Sequence, residues 1–419
     1  MNKKYVISLF VLIIMIFTGC GVPFHKKLDM YLQAEQYEEA DEMIAAEKKS
    51  SKENIYSGKN GLLYYLDRAG VLQALGDYDN STMLLEKADE KIDALYTKSV
   101  LDETAALLSD ENAIEYRGED FERVTVSILK MLNFMYAGNF NGARVESKKV
   151  DQKLRVFTDE YGEKCIYNED AFARYLAGFA YEALGEMDNA YIDYKKSLET
   201  YQKYMNVYGT KIPAFVKPAL LRAADYLKYT DEMAEFARDW GEIPEFTKYR
   251  DLRDKGEVLI VIHNGLPPVK YDSNTYPKYQ SRGPALEKAV ARVDGKEFQS
   301  ETGQDIDVIA AKNLDNRIGL IIAKKAASSV AKGLLKAFTG IDMGSGKADT
   351  RSWRTIPSRF DIIRMEVTPG KKKINVDLYT VSGLARQVVL EADVKAGAKK
   401  VMPVFAFSGI VMPKFVEKK

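Results

Sequence analysis

Residues 171–201 read AFARYLAGFAYEALGEMDNAYIDYKKSLETY. The stretch predicts a helix, a tight turn and a second helix. In the first half Ala173, Ala177 and Ala180 interleave with Tyr175, Phe179 and Tyr181. Gly185 predicts the stop, because a residue without Cβ readily takes the left-handed conformation that ends a helix. In the second half Ala190, Tyr194 and Leu198 recur four apart, on one helical face. Small residues facing large ones let two antiparallel helices approach closely. Ala177 and Ala190 are therefore predicted to be buried where the helices meet.

The same punctuation recurs upstream: a small or turn residue, a large ring two later, a small residue three after that. It stands at Tyr37 and Ala40 (AEQYEEA), and at Gly76, Tyr78 and Ser81 (LGDYDNS). It returns at Gly138, Phe140 and Ala143 (AGNFNGA), and with Met187 as the large residue at Gly185 and Ala190 (LGEMDNA). The pattern resembles a tetratricopeptide-repeat array, whose units repeat every ~34 residues. Here the spacing is wider and uneven, with insertions such as residues 102–123. The resemblance implies stacked hairpins with a continuous core and a concave face, a binding scaffold and not an active site. An irregular helical bundle without a groove is the alternative reading. Pro213, Pro218 and Pro244 punctuate the end of this region, with Ala219 to Trp240 predicted as its final helix.

The chain has 419 residues and 46% hydrophobic content, enough for two or more domains. Lys plus Arg and Asp plus Glu both number 61, so no global field argues for nucleic acid. The N-terminus carries Lys3 and Lys4, then an apolar run from Val6 to Phe17, short for a membrane span. It ends in Phe17-Thr18-Gly19-Cys20, which resembles a bacterial lipobox. The resemblance implies a signal peptide over residues 1–19 and lipidation of Cys20, so that the membrane is met through an N-terminal lipid. Gly21 after the cysteine implies the outer membrane, facing the periplasm, or the cell surface in a monoderm. Cys165 is then the remaining cysteine, and His25 and His263 lie far apart, so no metal site is predicted. Cys165 reads as a small buried hydrophobe.

Composition changes near Gly256. Gly256 to His263 (GEVLIVIH) reads as a buried strand, and Asn264-Gly265 followed by Pro267-Pro268 as a turn. Residues 297–311 read as one or two short strands. From Arg359 the chain alternates at period two, with Phe360, Ile362, Met365 and Val367 in one strand and Ile374, Val376 and Leu378 in the next. Two more follow, at residues 387–394 and 401–407. This predicts a small antiparallel β-sandwich, and its layout is similar to PEGA-like envelope modules. Residues 313–338 read as one long amphipathic helix. Its basic face carries Arg317, Lys324, Lys325, Lys332 and Lys336. Docking within the protein, contact with a partner and contact with anionic lipid are all open to it.

The predicted fold class is α+β. A tetratricopeptide-like helical solenoid (residues 20–250) precedes a mainly-β domain (residues 256–419). The segments RYLAGFAYEALG (174–185), GEVLIVIHNGLPPVKY (256–271) and ADTRSWRTIP (348–357), with the lipobox, resemble a group of bacterial lipoproteins with tetratricopeptide-like repeats. The resemblance implies an envelope lipoprotein beside other envelope proteins, and carries over no catalytic residue.

The densest polar cluster is Asp349 to Pro357. There Arg351, Trp353 and Arg354 are candidates to stack on a glycan or clamp a carboxylate; a structural loop with Trp353 in the core is the other reading. Gly344-Ser-Gly-Lys347 fails as a phosphate loop, because Ile341 stands at the first glycine position and Ala348 at the Ser/Thr position. It reads as a linker. The acidic pairs Glu38/Glu39 and Glu301/Asp305 lack a nucleophile partner. The expectation is a non-enzymatic, lipid-anchored scaffold that binds partner proteins, with no cofactor and no nucleic acid. A glycan- or peptidoglycan-binding lipoprotein that uses the C-terminal β domain is the alternative.

Overall fold

The computed structural model describes residues 22–50, 54–106, 115–162, 165–273, 276–326, 349–410 and 412–414, side chains excepted at 96–106, 160–161 and 320–326. Ten α-helices come first: α1 (Phe24–Gln33), α2 (Tyr37–Lys49), α3 (Gly61–Ala74), α4 (Tyr78–Ala106), α5 (Asp120–Tyr136), α6 (Phe140–Tyr161), α7 (Ala171–Ala183), α8 (Met187–Val207), α9 (Val216–Leu227) and α10 (Thr230–Trp240). They form five successive hairpins. One residue in each turn is left-handed: Glu35, Gly76, Gly138, Gly185 and Lys228. Each second helix starts two residues later. The same hydrogen bond closes every turn, from Gln36, Asp77, Asn139, Glu186 and Tyr229 N–H to the carbonyl five residues back. This is the six-to-one bond of a Schellman cap.

The four predicted units are thus four hairpin turns, and a fifth lies inside the single helix expected over Ala219–Trp240. Lys228 breaks that helix into α9 and α10 without a glycine to mark the place. Ala40, Ser81, Ala143 and Ala190, five after the left-handed residue, are all fully buried. Ala177 is buried as well. A Cβ on Gly178 would stand 2.6 Å from the Tyr194 ring, so α7 and α8 approach at a distance only glycine permits.

A 3₁₀ turn (Tyr249–Asp254) leads into β1 (Gly256–Asn264), β2 (Val269–Asp272), β3 (Pro277–Gln280), β4 (Lys288–Val293), β5 (Lys296–Gln299), β6 (Glu301–Asp305), α11 (Ile306–Ala326), β7 (Arg359–Val367), β8 (Gly370–Thr380), β9 (Gly383–Val394) and β10 (Lys399–Ala406). One sheet runs β10-β1-β7-β6, the other β5-β4-β8-β9, and β2-β3 is a separate ribbon. The sheets pack face to face over Val258, Ile260 and Ile262 of β1, Ala289 and Ala291 of β4, and Ile374, Val376 and Leu378 of β8. The expected sandwich is present but not wholly antiparallel, since β1 pairs with β10 in parallel, Leu259 opposite Val401.

All nine residues of β1 are buried. Its second face, Leu259 and Val261, joins the core of the helices. The β10-β1-β7-β6 sheet is therefore a middle layer with helices on one side and the second sheet on the other, which is why β1 reads as an unbroken apolar run. Of the strands expected over residues 297–311, β5 and β6 end at Asp305. Ile306, Ile309 and Ala310 bury at helical spacing in α11, and the Asp305 carboxylate accepts the Val308 N–H at 3.1 Å. The helix thus starts at Ile306, not at residue 313.

Candidate functional site

The first helices of the hairpins form the face that meets the β domain. In α5 every residue from Phe121 to Tyr136 except Phe134 is buried, and in α7 every residue from Ala171 to Glu182. Neighbouring helices cover part of each, and this chain's own C-terminal half covers the face turned to it. The Tyr136 hydroxyl is 2.9 Å from His263 Nε2. Burial takes the His263 imidazole down to about 3, so it is neutral. Phe172 stacks on Phe360 with centroids 5.2 Å apart. Gln304 donates to Asp170, and the Tyr201 hydroxyl donates to the Gly303 carbonyl.

Two polar junctions stand out on this face. The first holds residues 349–358 against α3 and α5. The Trp353 backbone N–H donates to Glu122 at 2.8 Å, and the next N–H, of Arg354, donates to Asp67 at 2.8 Å. Thr355 lies so close to α3 that a Cβ on Gly70 would fall 2.2 Å from its hydroxyl oxygen. The strip is held much as a groove holds an extended peptide, by carboxylates on the first helices of successive hairpins gripping its backbone. Trp353 is 1% exposed and its indole N–H donates to Thr355. Its ring therefore offers no open face to a glycan in this fold. The Arg354 guanidinium reaches Asp29 at 3.0 Å, and Arg351 pairs with Asp349 and donates to Asn60. Burial raises Asp67 to about 7, against the hydrogen bonds from Arg354 and Tyr56. Burial also raises Glu122, helped by neighbouring Glu119. Burial pushes Glu119 upward too, but Arg317 and Lys270 outweigh it and leave that carboxyl at about 2. Arg317 of the predicted basic face is thus an internal partner of Glu119, at 2.7 Å.

The second junction joins α7 and α9 to the middle sheet. The Glu182 carboxylate meets Arg222 at 2.9 Å, Arg364 at 2.9 Å and Lys399 at 3.2 Å, and accepts from the Tyr194 hydroxyl at 2.6 Å. Glu257 of β1 meets Arg222 at 2.8 Å, Arg364 at 2.9 Å, and Lys399 as well. Glu366 bridges Arg222 and Lys255. Burial works against the Glu182 charge, yet Lys399, Arg364 and Arg222 hold it well below the usual carboxylate range. Burial takes Lys399 down to about 8, against the pull of Glu182. A cavity of about 240 Å³ opens here, lined by Glu182, Tyr249, Arg253, Lys255, Glu257 and Lys399 among others.

No residue of this second junction figured among the sequence candidates. The signal available was a charge interrupting an apolar run, Glu182 in AYEALG and Glu257 in GEVLIVIH. Cys165 is buried. Cys20 with the leader, Lys332, Lys336 and the Gly344–Lys347 linker lie outside the described residues, as do the side chains of Lys324 and Lys325. Among the described residues there is no cluster of metal-ligating side chains, and no helix is long and apolar enough to cross a membrane.

No protein-family model and no curated protein matches the sequence. Among solved structures the chain is similar to MamA of AMB-1, at 15% identity over 53% of this chain and 98% of that one, with a TM-score of 0.30. It is similar to BtubC from P. vanneervenii at 14% identity, over 53% and 81% of the two chains, with a TM-score of 0.32. A Podosopora anserina kinesin light chain with nearly identical TPR-like repeats matches at 15% identity, over 51% and 90%, with a TM-score of 0.31. The fold described above is a tetratricopeptide-like helical region followed by β-rich sheets with one helix.

Proposed function

We propose that the protein is a non-enzymatic scaffold, tethered to the cell envelope through lipidated Cys20, that holds partner proteins on the outer helices of its array. The observation that carries this reading is how the two faces of the array are used. The face a tetratricopeptide array offers to a ligand is filled by the chain's own β domain, so a partner is left the opposite one. There, the residue seven after the left-handed glycine is an exposed large apolar side chain in three consecutive hairpins. These are Met83 at 43%, Val145 at 53% and Ile192 at 50%. A lone exposed apolar residue is ordinary; the same repeat step three times running supports a contact row. Tethering rests on the lipobox-like Phe17 to Cys20, with the outer membrane as the proposed address.

Two measurements test the proposal. Cys20→Ala is expected to leave the protein unprocessed or to release it from the membrane fraction; a variant still cleaved after Gly19 and still membrane-bound overturns the tether. A photocrosslinker at Val145 or Ile192, in cells, is expected to give discrete adducts that the same probe at Val381, on the far β hairpin, does not. Identical adduct patterns from both surfaces overturn the outer-face reading.

A further inference from the structure

A buried charge has to be balanced by a partner, by loss of a proton or by a ligand. At the second junction the balance is incomplete. Glu182 and Glu257 have side chains 0% and 3% exposed, and three cations, Arg222, Arg364 and Lys399, converge on them. Glu366 also meets Arg222, but it is 26% exposed and already shared with Lys255. The buried group therefore holds one cation more than its own carboxylates neutralise.

The surplus lies beside open space. Lys399, paired with Glu182 and Glu257, lines the cavity of about 240 Å³ together with those two carboxylates and with Lys255, Arg253 and Tyr249, and Gly397 and Ala398 form part of its wall. Residues from the helical array, the 3₁₀ turn, β1, the β9–β10 turn and β10 all contribute, so the pocket exists only when the two halves of the chain are docked. Arg253 is exposed. Arginine and lysine side chains supply the guanidinium and ammonium donors that a planar or tetrahedral oxyanion takes up.

We propose that this cavity binds a small oxyanion, a carboxylate or a phosphate group, held between Lys399 and Arg253. The anion completes the charge balance of the buried cluster and keeps Lys399 protonated. It bridges the helical and β halves, so its binding free energy adds to the stability of the docked state. The site is independent of the outer-face contacts proposed above, and its failure leaves them untouched.

The test uses the full chain in detergent, titrated with inorganic phosphate and, separately, with acetate, each against sodium chloride at equal ionic strength. The expected result is a saturable rise in melting temperature and a calorimetric binding isotherm for at least one of the two ions. Phosphate alone identifies a phosphate site; both ions identify a general carboxylate and phosphate site. Arg253→Gln, at an exposed position that leaves the core intact, is expected to weaken binding about tenfold, as is Lys399→Met. A melting temperature that follows ionic strength only, with no isotherm, overturns the proposal and means that Lys399 balances the cluster by losing its proton. Binding unchanged in Arg253→Gln overturns it as well.

Discussion

Both junctions between the array and the β domain bury carboxylates of the hairpins' first helices, Asp67 and Glu122 at one and Glu182 at the other, and they solve the problem in opposite ways. At the Asp67/Glu122 junction the carboxylates receive backbone N–H groups and tyrosine hydroxyls: Trp353, Arg354, Tyr56 and Tyr116. Neutral donors leave the negative charge uncompensated, so burial wins and both pKa values rise. At the Glu182/Glu257 junction three cations surround the carboxylates, and Glu182 is held ionised. The difference teaches that the two halves of this chain are joined by one clasp built for a proton and one built for charge. The second opens on a cavity of about 240 Å³.

The largest expected effect comes from breaking the charged clasp. Glu182→Ala strands Arg222, Arg364 and Lys399 beside one remaining buried carboxylate. Removing one partner of a buried ion pair costs about 3–5 kcal/mol, and urea denaturation should show a loss in that range. A loss below about 1 kcal/mol would mean that the cluster is solvated and that the contrast between the junctions is false.

The second prediction concerns pH and sharpens the contrast through its sign. Asp67 has a folded pKa of about 7, above its ordinary 3.8. Between those values the folded state binds more protons than the unfolded state, so its contribution to stability falls as pH rises from about 4 to 7. The gap corresponds to at most roughly 4 kcal/mol. Glu182 has the opposite sign: its contribution is fully present above about pH 4.5 and is lost as pH falls below that. His263, neutral when folded with a pKa of about 3, adds stability as pH rises from about 3 to 6.5. Its slope opposes that of Asp67, so the Asp67 term has to be read as a difference. Wild type minus Asp67→Asn, in urea melts at pH 5 and pH 8, should decline toward pH 8. A flat difference would place Asp67 in contact with solvent.

Much of this architecture was legible because its signals are local. Gly76, Gly138 and Gly185 mark three turns where a positive φ favours glycine, and the run from Val258 to Ile262 announces a strand buried on both faces. Lys228 takes the same conformation with no such mark, so the fifth hairpin hid within one expected helix. The start of α11 was missed because Ile306, Ile309 and Ala310 form a helical face over too few residues to outweigh the strand pattern before them. The junctions were illegible for a different reason. Arg354 meets Asp67 across 287 residues of chain, and Arg364 meets Glu182 across 182. No local period encodes such a pairing. Trp353 shows the consequence: an aromatic between two arginines reads equally as a ligand platform or as a core residue until the helix that covers it is known.

The smallest expected effect isolates the surplus cation. If the charged clasp holds three cations against two buried carboxylates, its members are not equivalent. Arg222 donates to Glu182, Glu257, Glu366 and the Thr247 carbonyl at once, so Arg222→Met leaves several buried acceptors without donors and should cost several kcal/mol. Lys399→Met leaves two arginines facing two carboxylates, and puts a flexible apolar chain against the Phe179 ring over which the ammonium now sits at 4.8 Å. In a buffer free of phosphate and carboxylates this substitution should cost about 1–3 kcal/mol, less than Arg222→Met, because Glu257 Oε2 loses its lysine donor while the remaining charges balance. The two variants compared in urea at pH 7 decide the matter. Equal losses would mean that Lys399 is an ordinary member of the ion network and that the clasp carries no surplus charge. A clear gap, with Lys399→Met the smaller loss, would show that the lysine contributes less to folding than the arginines it stands beside.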